Sequence, residues 1–210
     1  MDWTTAASLA TAGGTLVLAI ATFASVRSNN RSARVAEYAM QLGIRPLLMP
    51  SRLEDAAQKI RWGDGHSAAL VGAGAHVEIE DDNVYLAMSV RNAGSGIAVL
   101  NGWHLRFEEV LSEHPHADRE EFRPQSRDMY ISGGDVGFWQ AAIRDADDPE
   151  YAELARRARS RELFLIELLY TDHEGQQPSI TLFVVAPYDD GGGWNCAAAR
   201  HWNLDRPDPR

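Results

Sequence analysis

The sequence predicts a mainly β protein, built as an N-terminal transmembrane helix and a helical stalk followed by a β-sandwich with two or three short helices. Three observations carry this. Trp3 to Val26 holds no charged side chain and is followed at once by Arg27, Arg31 and Arg34, and a hydrocarbon core takes about 20 helical residues to cross. From Ala75 the apolar residues alternate with polar ones, which is the period of a strand. Gly, Asn, Asp and Pro then punctuate the chain between short apolar runs, as in a sandwich. The organisation that follows is residues 1–26 as anchor, 27–43 as juxtamembrane stalk, 44–203 as sandwich and 204–210 as an extended tail.

In the anchor, Leu9, Leu16, Val17, Leu18, Ile20, Phe23 and Val26 are diluted by Ala, Thr, Ser and Gly. A cleaved signal, with Ala19-Ile-Ala21 as its small-x-small site, and a buried helix are the competing readings. Against the first stands an n-region without Lys or Arg, and against the second the length of the uncharged run. Arginines on the C-terminal flank alone place the N-terminus outside and the main domain in the cytoplasm. Trp3 suits the membrane interface. Ala6, Ala10 and Gly14 recur every four residues, a small face through which two helices approach, so a homodimer is the expected oligomer if the helix pairs at all.

The net charge of −10 opposes nucleic acid as a partner, because phosphate binding needs a concentrated basic surface. With one cysteine, Cys196, no disulfide closes within the chain. No cofactor is expected. The expected partners are the lipid bilayer and a cytoplasmic protein or small ligand.

Past the arginines, Val35, Tyr38, Ala39 and Leu42 form a stalk stripe that Gly43 ends. Ile44 to Met49 reads as an edge strand because of Pro46. Ser51-Arg-Leu-Glu54 has capping-box spacing and predicts a short helix with Leu53, Ala56, Ala57 and Ile60 on one face. Trp62-Gly-Asp-Gly65 and Gly72-Ala-Gly74 are loops. Ala75, Val77 and Ile79, then Val84, Leu86, Met88 and Val90, predict a hairpin turning at Asp81 to Asn83. Ile97 to Phe107 follows with Ile97, Val99, Trp103, Leu105 and Phe107 on one face. Glu108 to Arg127 reads as a loop, and Met129 to Ile131 and Val136 to Ile143 as strands. Asp148-Pro149 opens a helix whose stripe is Tyr151, Leu154, Ala155 and Ala158. Leu163 to Tyr170, Ile180 to Ala186 and Trp194 to Trp202 complete about eight strands.

Arg91-Asn-Ala-Gly-Ser-Gly-Ile-Ala98, running into Val99-Leu-Asn-Gly-Trp103, resembles the Asn-x-Gly-x-Gly-x-Ala turn of bacterial membrane-tethered, immunoglobulin-like domains. With the order of anchor, arginine-rich stalk and Arg45-Pro46 strand, the whole chain resembles uncharacterised single-pass membrane-anchored proteins of high-GC actinobacteria. The resemblance implies an immunoglobulin-like architecture and a membrane location, and it brings no catalytic residues.

Chemistry is sparse by spacing. His114 and His116 precede Asp118, and His201 follows Cys196 by five residues, an odd separation that puts the two on opposite strand faces; neither group has zinc-ligand spacing, so no metal is expected. Asp145 to Asp148 lacks the Gly and Glu of a calcium loop. Asp172-His173-Glu174 reads as a solvated turn without a nucleophile motif. Trp103 belongs to the core, while Trp139, His201 and Trp202, near strand ends, are the expected partner surface. The functional expectation is a non-enzymatic, membrane-bound binding or scaffold module. Its alternatives are an enzyme around Asp172, His173 and His201 that assembles only in three dimensions, and a ligand-sensing membrane effector.

Overall fold

A computed structural model describes residues 2–107, 116–189 and 191–207, apart from the side chains of Ala6, Leu9, Ala10, Gln41 and Leu42. The chain divides into two units, Met1–Gly43 and Ile44–Arg210. The first is a single helix, α1 (Trp3–Gly43), so the segments expected as anchor and stalk are continuous. Among the described residues no helix is long and apolar enough to cross a membrane. Gly13, Gly14, Thr15, Thr22 and Ser25 dilute the apolar residues, and Arg27, Arg31 and Arg34 interrupt them. Leu16, Val17, Leu18, Ile20, Phe23 and Val26 nevertheless expose 52–70% of their surface, and at 100° per residue they cover every side of the helix. Val35 and Tyr38 of the expected stripe are exposed as well.

The second unit is mainly β. Its strands are β1 (Leu48–Pro50), β2 (Gln58–Arg61), β3 (Ser67–Leu70), β4 (Gly74–Glu80), β5 (Asn83–Asn92), β6 (Ala98–Arg106), β7 (Arg123–Ile131), β8 (Val136–Ile143), β9 (Phe164–Thr171), β10 (Ser179–Pro187) and β11 (Trp194–Asn203), with helix α2 (Tyr151–Ser160) before β9. Nine strands make one antiparallel sheet in the order β1-β5-β4-β11-β10-β9-β6-β7, and β8 pairs with β5. The sheet curls until β7 and β8 meet, where Gln125 Nε2 donates to the Gln140 carbonyl at 2.9 Å. The curl encloses a core in which Val84, Leu86, Met88 and Trp139 lie with Trp103, Ile166, Tyr170 and Phe183. Leu154 and Ala155 of α2 join that core. The hairpin β2-β3 is separate and lays Ile60, Trp62 and Leu70 against Tyr85 and Ala87, on the other face of β5.

Asn92 explains the glycine-rich turn. It is fully buried; its Nδ2 donates to the carbonyls of Gly96 (2.6 Å) and Ile131 (3.0 Å), and its Oδ1 accepts from Leu47 N and Gly94 N, both at 3.0 Å. A methyl group at Gly94 or Gly96 would collide with the carbonyl oxygens of Arg45 and Ile44. The turn therefore fastens residues 44–47 to the sheet, which is a packing role for the motif.

The structure corrects several expectations. No helix forms at 51–60: Ser51 Oγ bonds Ser89 Oγ (2.6 Å) and Ala73 N (2.8 Å) instead of capping, and residues 58–61 are β2. In β6 a bulge between Leu100 and Gly102 shifts the parity, so Ala98 and Leu100 are buried with Trp103 and Leu105, while Ile97 is 39% exposed. Strand β7 begins at Arg123 and includes Pro124, which an edge strand tolerates. In β11 Ala199 bulges out, so Cys196 and His201 lie on the same face, opposite Val185 and Thr181. The expected loop at 108–115, with His114, and residues 208–210 of the tail lie outside the described residues.

Candidate functional site

The expected partner surface does not assemble. Trp139 is fully buried, closing edge-on against Trp103 at 5.6 Å, because it alternates with Ala141 and Ile143 onto the core face of β8. Trp202 is 5% exposed and packs with Leu165, Ile180 and Leu182. The His201 ring lies 3.3 Å from Tyr170 Oη and 3.1 Å from Thr181 Oγ1, a buried polar pair on the inner side of the sheet. The Asp172 carboxylate accepts from Glu174 N (3.0 Å) and Gln176 N (2.7 Å), so it shapes a turn, while His173 points outward. Cys196 is shielded, and burial pushes its thiol pKa up to about 12. Of the small helix face, Gly14 is open on all sides, with nothing within 4 Å of an added Cβ; the side chains of Ala6 and Ala10 lie outside the description.

A different group comes together on the outer face of β4. Ala75, Val77 and Ile79 pack on the core, which turns His76, Glu78 and Glu80 to the opposite side. The β2-β3 turn delivers His66 to the same place. Gly65 there has φ +96°, the Trp62 amide donates to the His66 carbonyl at 2.9 Å, and Asp64 Oδ1 accepts the His66 amide at 3.0 Å. One donor atom from each of His66, His76 and Glu78 lies within 4.8 Å of the others. Glu78 Oε2 is 3.4 Å from His66 Nε2 and 3.0 Å from His76 Nε2. Both Nε2 atoms are shielded from solvent, with Glu78 Oε2 as their shared charged neighbour.

The surroundings hold His66 firmly. Its Nδ1 is 2.8 Å from Glu80 Oε2, and its ring stacks on Tyr85 with centroids 3.9 Å apart and planes at 13°. Trp62 lies 5.1 Å from the His66 ring and 5.7 Å from that of His76, and its own Nε1 donates to the Ala141 carbonyl at 2.9 Å. Tyr85 Oη donates to Asp64 Oδ2 at 2.9 Å, and Arg144 donates to the same oxygen at 2.8 Å. Hydrogen bonding from Arg144 holds the Asp64 carboxyl down at about 2. Burial lowers the His76 pKa against the opposing pull of Glu78.

No spacing in the sequence marks this group, because His66 and His76 belong to different hairpins. The available signal was the His76-x-Glu78 alternation on one strand face, together with a glycine-flanked turn ending at His66. A polar cleft of about 660 Å³ lies alongside, lined by Trp62, Asp64, Trp103, Arg123, Gln140 and Arg144 among others. Arg123 is committed there to Asp148, through bonds of 2.6 and 2.7 Å, and to Glu150.

Comparison of the chain with family models, curated proteins and solved structures finds no match.

Proposed function

We propose that the chain is a single-pass membrane protein, with its N-terminus outside and its β domain in the cytoplasm, and that it presents an immunoglobulin-like binding module to a protein or small ligand. One observation carries the reading: six large apolar side chains between Leu16 and Val26 stand exposed on every side of a helix that is uncharged from Trp3 to Val26. Burying such a side chain is worth roughly 1.5–3 kcal/mol. Leaving six mostly in water forgoes on the order of 5–10 kcal/mol, as much as a whole domain's stability. A lipid environment removes that penalty. The hydroxyls of Ser8, Thr11 and Thr15 fit the same solvent, since each donates to the carbonyl four residues back, at 3.0, 3.0 and 2.9 Å. Arg27, Arg31 and Arg34 supply the cytoplasmic flank. The same location follows from the resemblance to anchored actinobacterial proteins.

The test is extraction. The full chain is expected to stay in the membrane pellet after an alkaline carbonate wash, and residues 27–210 to leave it; release of the full chain by the wash ends the proposal. Orientation is read with Glu174→Cys, at an exposed turn, against the wild type whose single thiol is buried. An impermeant maleimide is expected to label Glu174→Cys only after permeabilisation, and equal labelling of intact cells places the domain outside. The polar cleft beside Trp62 favours a ligand-sensing role over a pure scaffold, because a scaffold has no use for a concave polar site.

A further inference from the structure

We propose that His66, His76 and Glu78 bind a divalent first-row transition metal ion, with Zn²⁺ the best-fitting probe, and leave a coordination position for water or an outside donor.

The donor set comes first. Two imidazoles and one carboxylate suit zinc and its neighbours, whereas calcium and magnesium select all-oxygen sites. Geometry comes second. Donors about 2.0–2.1 Å from a tetrahedral ion stand about 3.3 Å apart, and Glu78 Oε2 lies 3.4 and 3.0 Å from the two ring nitrogens. The two carboxylate–imidazole pairs are thus already at ligand-to-ligand separation before any ion is considered.

The competing account is a clasp of ion pairs tying the β2-β3 hairpin to β4. It explains the contact between His66 Nδ1 and Glu80, and the stacking on Tyr85. It does not require two shielded Nε2 atoms to converge on one carboxylate oxygen, whereas a single cation between the three does. The rest of the arrangement also matches a metal site. A ligating histidine ordinarily gives its second ring nitrogen to a carboxylate, which orients the ring and fixes its tautomer, and Glu80 stands in that place for His66. Asp64 is taken by Arg144, Tyr85 and the His66 amide, so it is not a fourth ligand. With three protein donors the site is of the open type, unlike closed structural zinc sites, which have four. Glu78 is 47% exposed, so an incoming ion and an outside donor have access from solvent.

The experiment titrates Zn²⁺ alone into the full chain in detergent, with a chromophoric chelator as competitor. One equivalent is expected at micromolar or tighter affinity. His76→Gln and Glu78→Gln are expected to weaken binding at least about 100-fold, and Glu80→Gln, a positioning residue, about 10–100-fold. His173→Gln, at a distant exposed turn, should bind as the wild type does. Near-UV dichroism without metal reports whether each variant is folded. Should a ligand variant fail to fold, histidine-selective nitrogen NMR on the wild type decides: Zn²⁺ is expected to move the Nε2 resonances of His66 and His76 and to leave His173 in place. The proposal falls if the wild type takes up no stoichiometric Zn²⁺, if folded His76→Gln and Glu78→Gln bind unchanged, or if the shifts appear at other histidines only. Because every readout is of the β domain, a failure here is separate from failure of the membrane reading.

Discussion

Leu18 and Leu168 are the same side chain in opposite circumstances: the first, on α1, is 69% exposed, and the second, on β9, is fully buried. The contrast extends to their neighbours. Leu16, Val17, Ile20 and Phe23 are open, whereas Leu165, Ile166 and Phe183 are closed off. The β domain follows the ordinary burial logic of a fold in water, in which apolar residues face inward at period two. The helix does not, and its backbone needs no outside partner because the ladder is internal. The two units therefore follow different burial rules, which is why composition averaged over the whole chain conveys neither.

The largest effect should come from truncating the same residue in the two regions. Leu168→Ala is expected to destabilise the β domain by about 2–5 kcal/mol. Leu18→Ala should leave the domain's melting temperature where it is. A matched loss for both would mean that the helix belongs to the domain's cooperative unit, and the contrast would collapse.

Asparagines sharpen it next. Asn92→Ala strands Leu47 N, Gly94 N and the carbonyls of Gly96 and Ile131 inside the protein, for an expected loss of roughly 3 kcal/mol. Asn30→Ala, on the exposed face of α1, should cost the domain nothing measurable. Equal urea midpoints for Asn92→Ala and the wild type would show that the glycine-rich turn is not the fastening of residues 44–47.

Much of the fold was legible because alternation is a local signal. The β4-β5 hairpin and β8 stand where the pattern put them, with the turn tightened onto Asp81 and Asp82, both at positive φ. What failed did so for non-local reasons. Ser51 would have capped a helix had Ser89, 38 residues away, not taken its hydroxyl. The bulges at 101 and 199 reverse side-chain parity, and no periodicity written in advance includes an extra residue. Trp139 looked peripheral from its place in the chain, yet it lies on the core face of β8 and closes against Trp103 of β6. His66 and His76 meet only because the β2-β3 hairpin lies on the outer face of the β4-β5 hairpin.

A smaller effect is electrostatic and confined to the β domain. Hydrogen bonding from Arg123 holds the Asp148 carboxyl below its ordinary value. A carboxyl with a depressed folded pKa contributes stability above the unfolded value of about 3.9 and loses it as pH falls through the folded pKa. Asp148→Asn should therefore lower the melting temperature near pH 7, by an amount corresponding to about 1 kcal/mol or less. The gap should close on acidification below pH 4, and a gap that widened there would reverse the assigned sign.

The smallest expected change in the β domain is none, and it is the cleanest probe of the helix. Gly14→Ile adds a branched side chain where nothing lies within 4 Å of a Cβ, so the monomer accommodates it. Isoleucine is also a better helix former than glycine by some tenths of a kcal/mol, so the substitution does not weaken α1 itself. Any fall in association must then come from contact between helices, since bulk at Gly14 prevents the close approach that Ala6, Ala10 and Gly14 would allow. If the helices pair through this face, sedimentation in detergent should show a smaller dimer fraction for Gly14→Ile than for the wild type, with an unchanged melting transition of the β domain. Identical dimer fractions would remove the small face from the association and assign any pairing to the exposed stripe at Val35 and Tyr38 or to the domain.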